Sequence, residues 1–121
     1  MKILIAEDDA FFQKFYSTKL TEKDFEVITA SDGEETLAKV LESKPDLILL
    51  DLIMPKKDGF EVLTALSKDA ISKDIPVIVF SSLGQEQDVK RAKTLGAKDY
   101  INKGFYDFDS LVAKISMYKK Q

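Results

Sequence analysis

The sequence contains no cysteine and no histidine. Without cysteine there are no disulfides, thiolate metal sites or cysteine nucleophiles, and a fold that needs no cross-link suits a reducing compartment, so a cytoplasmic location is expected. Without histidine there is no Ser-His-Asp triad, no imidazole zinc site and no phosphohistidine carried by this chain. What remains is the chemistry of oxygen and amine groups. Long apolar runs are also missing: LILL (Leu47–Leu50) and VIVF (77–80) fall far short of the roughly 20 residues that span a bilayer. The start of the chain has no signal-peptide pattern, so no membrane partner is expected. Charge of one sign is not in excess, since 18 basic residues stand against 21 acidic ones. The net charge of -3 removes the basic footprint of a nucleic-acid binder, and no direct nucleic-acid contact is expected. Glycine and proline are sparse, with five and three copies, and no linker or low-complexity tract interrupts the chain.

What is present suits one compact unit. At 121 residues, with 45% hydrophobic and 32% charged residues, the chain is expected to form a single domain over 1–121. KILIA (Lys2–Ala6), LILL and VIVF are short, continuous apolar runs, the pattern of parallel strands covered on both faces. EVITA (Glu26–Ala30) and DYI (99–101) are more polar and suit sheet edges. Between them, apolar residues recur at spacings of three and four: Phe12, Phe15, Tyr16 and Leu20; Leu37, Val40 and Leu41; Val62, Leu63 and Leu66; Val89, Ala92 and Leu95; Leu111, Val112 and Ile115. Five strands alternating with five helices predict a doubly wound α/β fold with a parallel sheet and right-handed crossovers.

The punctuation agrees. Ser31 and Glu34 read as a capping box for the second helix, which Pro45 stops, and Gly96 stands where a glycine should end the fourth. Asp58 and Gly59 read as turn chemistry, not as ligands. The segment 118–121 reads either as a true end or as the start of a linker.

In such sheets the functional site lies beyond the carboxyl ends of the strands. There the sequence places Glu7, Asp8 and Asp9, then Asp51, then Ser81 and Ser82, and finally Lys103. Like-charged carboxylates about 4 Å apart repel by about 4 kcal/mol at an effective dielectric near 20. A cation must therefore enter, and with oxygen ligands alone a hard one is expected, Mg²⁺ or Mn²⁺. With the metal in place one carboxylate can attack a phosphoryl group, while Lys103 and Ser81 hold its oxygens.

At these residues the chain resembles the receiver domains of two-component response regulators, over its whole length. ILIAEDD looks like the acidic first-strand motif of that family, and DLILLDLIMPKKDG like its phosphoacceptor segment with M-P-x-x-D-G. VIVFSS looks like the strand ending in Ser or Thr, and GAKDYINK like the segment carrying an aromatic residue and the lysine. The resemblance implies a flavodoxin-like fold with strand order 2-1-3-4-5, and a chemotaxis-type single-domain receiver acting alone or excised from a larger regulator. It implies that Asp51 accepts the phosphoryl group and that Asp8 ligates Mg²⁺, with Glu7 acting on it partly through water. Asp51 and the main-chain carbonyl of Ile53 would complete the metal set, and Lys103 would hold the phosphate. Ser81 and Tyr100 would be the switch pair. The donor would be the phosphohistidine of a sensor histidine kinase or a histidine phosphotransfer protein. An output protein would read the face around Tyr100 and the last helix. Such a chain is not an enzyme of external substrates: it catalyses only its own phosphotransfer and a slow autodephosphorylation.

Each residue also has a plainer role. Asp8 and Asp9 can cap a helix, Lys103 can be a solvated charge, Tyr100 an edge-strand aromatic and Ser82 a neutral neighbour. The periodicity assigns Phe12, Phe15 and Tyr16 to the core. Phe11 either covers the core edge or belongs to an exposed patch on which the phosphodonor docks, and Phe105, Tyr106 and Phe108 pose the same choice.

Two departures from the family pattern stand out. Gly104 replaces the usual proline after the lysine, so a cis bond there would cost about 2.5 to 4 kcal/mol and the loop path is open. Ile53 and Leu83 are apolar where polar side chains can orient the hydrolytic water, and they are expected to shield the phosphoryl group and lengthen its life. Two other classes compete. A haloacid-dehalogenase-type phosphohydrolase needs a second Asp at position 53, which is Ile. A flavodoxin-like cofactor carrier or a degenerate receiver would need a glycine-rich first loop or a missing acid, and the chain has neither.

Overall fold

In a computed structural model of the protein, which describes residues 1–119, five strands and five helices alternate without exception. They are β1 (Lys2–Ala6), α1 (Ala10–Thr21), β2 (Glu26–Ala30), α2 (Gly33–Ser43), β3 (Leu47–Leu50), α3 (Gly59–Lys68), β4 (Val77–Ser81), α4 (Glu86–Thr94), β5 (Asp99–Asn102) and α5 (Phe108–Ser116). All pairings are parallel, in the order β2-β1-β3-β4-β5, so the two polar strands lie at the edges. Residues 120 and 121 of the C-terminal segment, read as end or linker, lie outside the described residues. Among the described residues no helix is long and apolar enough to cross a membrane.

The alternation of side chains across the sheet divides the core in two. Leu4, Ile48, Leu50 and Val79 face one side and pack with Val40 of α2, Val62 and Leu63 of α3 and Ala92 of α4. Ile3, Ile5, Leu49, Ile78 and Phe80 face the other and pack with Tyr16 and Leu20 of α1 and Leu111 and Ile115 of α5. β3 and β4 are buried along their whole length, the reason they read as unbroken apolar runs.

Three local readings are corrected. The cap of α2 is Asp32, not Ser31: its carboxylate accepts the Glu35 amide, while the Ser31 amide donates to the Glu35 side chain. Asp caps as well as Ser, and the helix takes the later of two adjacent candidates. Asp58 is structural, as expected, but as the cap of α3, in a reciprocal box with Glu61. The core assignment fails for Phe12 and Phe15, which are 39% and 43% exposed, whereas Tyr16 and Leu20 are buried. The sheet covers only a narrow stripe of α1, and four aromatics on that helix exceed it. Leu41 on α2 is likewise half exposed.

Candidate functional site

The carboxyl ends of β1, β3, β4 and β5 meet at one rim, and each contributes one element of the site. The end of β1 delivers Glu7 and Asp8. Asp9, the next residue, is consumed as the cap of α1, its carboxylate accepting the amides of Phe11 and Phe12. The two readings of that acidic run are thus divided between its residues: Asp9 caps and Asp8 is left to the site. β3 delivers Asp51, whose amide donates to the Ala6 carbonyl and locks the two strand ends together.

Glu7, Asp8 and Asp51 each offer an oxygen within 4.8 Å of the others. Opposed ligands at the 2.0–2.1 Å of Mg²⁺ lie about 4.2 Å apart, so a small contraction places all three on one ion. The donors are all carboxylate oxygens, which suits a hard divalent cation. Glu7 Oε2 is buried and has no hydrogen-bond partner among the described residues, which leaves one oxygen available to such an ion.

Lys103, at the end of β5, reaches over this cluster. Its ammonium lies 2.6 Å from Glu7 Oε1 and 3.1 Å from Asp51 Oδ2. It is not a solvated charge, and here its partners are the acids. The Lys103–Gly104 bond is trans, as are all the peptide bonds described. Asp51 Oδ1 accepts the Ser81 hydroxyl at 3.0 Å and the Ile53 amide at 3.1 Å. The same Ser81 oxygen accepts the Leu83 amide, and the Leu83 carbonyl accepts the Tyr100 hydroxyl. A continuous chain of bonds therefore runs from Asp51 through Ser81 and both ends of Leu83 to Tyr100. Burial pushes the Tyr100 phenol up to about 12.

The two buried acids share one ammonium unequally. Burial, followed by the neighbouring Asp51, pushes the Glu7 carboxyl up to about 8. Asp51 is also desolvated, yet its ionised form is held below the ordinary carboxylate range by Glu7, the Ile53 amide and Lys103. The donor counts explain the split: Asp51 accepts an ammonium, a hydroxyl and an amide, whereas Glu7 accepts the ammonium alone. Of the two, Asp51 is the one held in its ionised form.

Sequence reading missed Gln13. From α1 its amide nitrogen approaches the carbonyls of Glu7 at 2.9 Å and Ala30 at 3.2 Å and the Ser31 hydroxyl oxygen at 3.2 Å, tying the ends of β1 and β2 to the helix. The available signal was an uncharged polar residue one turn past the cap, beside Lys14 inside an aromatic run. Ile53 is half exposed and lines the mouth of the acidic pocket, as the shielding role requires. Leu83 departs from that role, because it packs against the core on the α2–α4 side. Phe12 stands in the pocket wall with Ser82 and Gly104.

Phe11 is 70% exposed and Phe105 is 90% exposed, so both belong to the surface. Phe11 stacks near Phe15 beside a shallow groove lined by Lys14, Thr18 and Lys19. Tyr106 packs edge-on against Phe80, and Phe108 is half-buried against the α1–α5 core.

A model of the response regulator receiver domain family matches residues 3–116. The DNA-binding dual master transcriptional regulator RpaA of Synechocystis is 39% identical over 114 residues, which cover 94% of this chain and 47% of that protein. Among solved structures, the receiver domain of the Francisella response regulator 1452 is 32% identical, with a TM-score of 0.89 over 97% of this chain and 94% of that one. The BeF3-activated N-terminal receiver domain of Klebsiella pneumoniae RstA is 27% identical, with a TM-score of 0.92 over the full length of both chains. The chain spans less than half the length of RpaA and of other curated relatives that it matches.

Proposed function

The chain belongs to the response regulator receiver domain family of two-component signalling, and from that premise we propose that Asp51 is its phosphoacceptor. The donor is a phosphohistidine on a sensor histidine kinase or a histidine phosphotransfer protein. Its phosphorus–nitrogen bond breaks as an Asp51 oxygen bonds to phosphorus, and the released imidazole takes a proton from solvent. One observation carries the reading. Asp51 is a buried, ionised carboxylate at a strand end, held by an ammonium, a hydroxyl and an amide, with two further acids close enough to share a cation.

Asp8, Asp51 and the Ile53 carbonyl would hold Mg²⁺, with Glu7 acting partly through water and Mn²⁺ able to substitute. When bound, the ion offsets the repulsion between the incoming phosphoryl group and the acids. Lys103 then turns from the carboxylates to a phosphoryl oxygen. Ser81 follows the same group, and because its oxygen also holds the Leu83 amide, the movement is passed to Tyr100 on the Leu83 carbonyl. Ser81 and Tyr100 form the switch.

The face around Tyr100 and α5 carries the signal to an output protein. The exposed Phe11 and Phe15 beside the acidic rim receive the helices of the phosphodonor. The unit, 1–121, acts in the cytoplasm, touches neither nucleic acid nor membrane itself, and turns over no external substrate beyond its own phosphorylation and slow hydrolysis. Relatives more than twice the matched length carry names of transcriptional regulators. They favour a receiver joined to an output module over the chemotaxis-type single-domain arrangement.

Incubation with acetyl phosphate or phosphoramidate and Mg²⁺, followed by intact-mass measurement, tests the assignment. One added phosphate on the wild type and none on Asp51→Asn is the expected result. No addition to the wild type, or undiminished addition to the variant, overturns it.

A further inference from the structure

We propose that Phe12 is a positioning residue of the phosphorylation site: its ring, together with Ile53, forms the apolar wall that keeps water from the phosphorylated Asp51 and sets the lifetime of the signal. The inference rests on Asp51 being the phosphoacceptor and goes beyond it. Of the two apolar side chains that the sequence offers as a shield, only Ile53 is at the pocket, since Leu83 is turned into the core. The place of the second is taken by Phe12, one turn into α1, whose ring lines the same mouth as Glu7, Asp8, Asp51 and Lys103.

Its position there is specific. The Lys103 ammonium lies 5.5 Å from the centre of the Phe12 ring and 5.7 Å from that of Phe80. Phe80 is a buried strand residue, whereas Phe12 is 39% exposed, so of the two rings beside the ammonium Phe12 is the one at the surface. An aromatic face holds a cation there without offering an oxygen, so it orders Lys103 and orients no water. Asp9 holds the backbone at Phe12, because the carboxylate that caps α1 accepts the Phe12 amide itself.

The reaction slowed is hydrolysis. A water oxygen bonds to phosphorus, the bond from phosphorus to the Asp51 oxygen breaks with its electron pair on the carboxylate, and the water proton passes to the released phosphate or to solvent. Ser81, the Ile53 amide and Lys103 all meet the Asp51 carboxylate as donors. Neither Phe12 nor Ile53 offers a base to an entering water, in a pocket whose other walls carry the Glu7, Asp8 and Asp9 carboxylates.

The test phosphorylates the full chain with phosphoramidate and Mg²⁺, removes the donor, and follows phosphate loss by intact mass for wild type, Phe12→Ala, Phe12→Leu and Phe12→Ser. Addition of neutral hydroxylamine, which attacks the acyl carbon, reports access to the site directly, a quantity that overall stability does not set. The expected result is several-fold faster loss and a larger hydroxylamine effect in the Ala and Ser variants, with near wild-type behaviour restored by Leu. Loss as slow in Phe12→Ala as in wild type, or an acceleration in Phe12→Leu equal to that in Phe12→Ala, overturns the wall. A wild type that takes up no phosphate overturns the phosphoacceptor reading itself, and the wall with it.

Discussion

Lys103 places its ammonium 2.6 Å from Glu7, across the carboxyl end of a sheet in which the two residues lie 96 positions apart. The contact joins β5 to β1 over the ends of β3 and β4, and it sets a cation between two acids buried side by side. Lys103→Met leaves Glu7 and Asp51 facing each other without a cation. Loss of a partner from a buried pair is expected to cost about 3 kcal/mol at pH 9.5, above the value of about 8 to which the Glu7 carboxyl is raised. The loss should shrink at pH 5, where Glu7 already carries a proton, and on addition of Mg²⁺. Urea unfolding at the two pH values, with and without the ion, checks all three.

The Glu7 carboxyl predicts a pH dependence of the metal-free protein. Its native value is raised from 4.5 to about 8, so between these limits the native state binds more protons than the unfolded state. Stability therefore falls as pH climbs from about 4.5 towards 8. Glu7→Gln, which keeps the shape without the titration, is expected to flatten that slope. Denaturation midpoints measured in chelator across this range decide the matter, and an equal slope in both proteins contradicts the assignment.

Gly33 opens α2 against the loop that follows β3. A methyl group there would lie 2.1 Å from the Lys57 carbonyl oxygen, backbone that cannot step aside without moving the loop. Gly33→Ala is expected to lower stability by about 1 to 3 kcal/mol. It should also weaken Mg²⁺ binding, because residues 55–57 lead back to Ile53 and Asp51. Calorimetric melting and a metal titration on the same sample check both effects.

Asp58 separates a structural acid from a functional one. Its carboxylate is engaged by the Glu61 amide in the cap of α3. Asp58→Ala is expected to cost about 1 kcal/mol of stability and to leave Mg²⁺ affinity unchanged. A lowered metal affinity would place Asp58 in the site.

The elements were legible because period two and period 3.6 differ plainly in this chain, and each strand lies within one residue of its apolar run. The site was legible in outline for a related reason: parallel strands deliver the residues after them to one rim, and those residues were Glu7, Asp8, Asp51, Ser81 and Lys103. Periodicity alone left the strand order open, and resemblance supplied it. What the sequence determined by itself was local pattern and chemical type: which segments extend, which coil, and that only oxygens and an amine meet at the strand ends. Tertiary structure decided distances and sides. It turned Leu83 inward, left Phe12 at the mouth of the pocket, gave Asp9 to a helix and set Lys103 between two acids. Those outcomes depend on how widely a sheet covers a helix and on which of two neighbouring carboxylates receives more donors, quantities that arise only when distant segments are packed together.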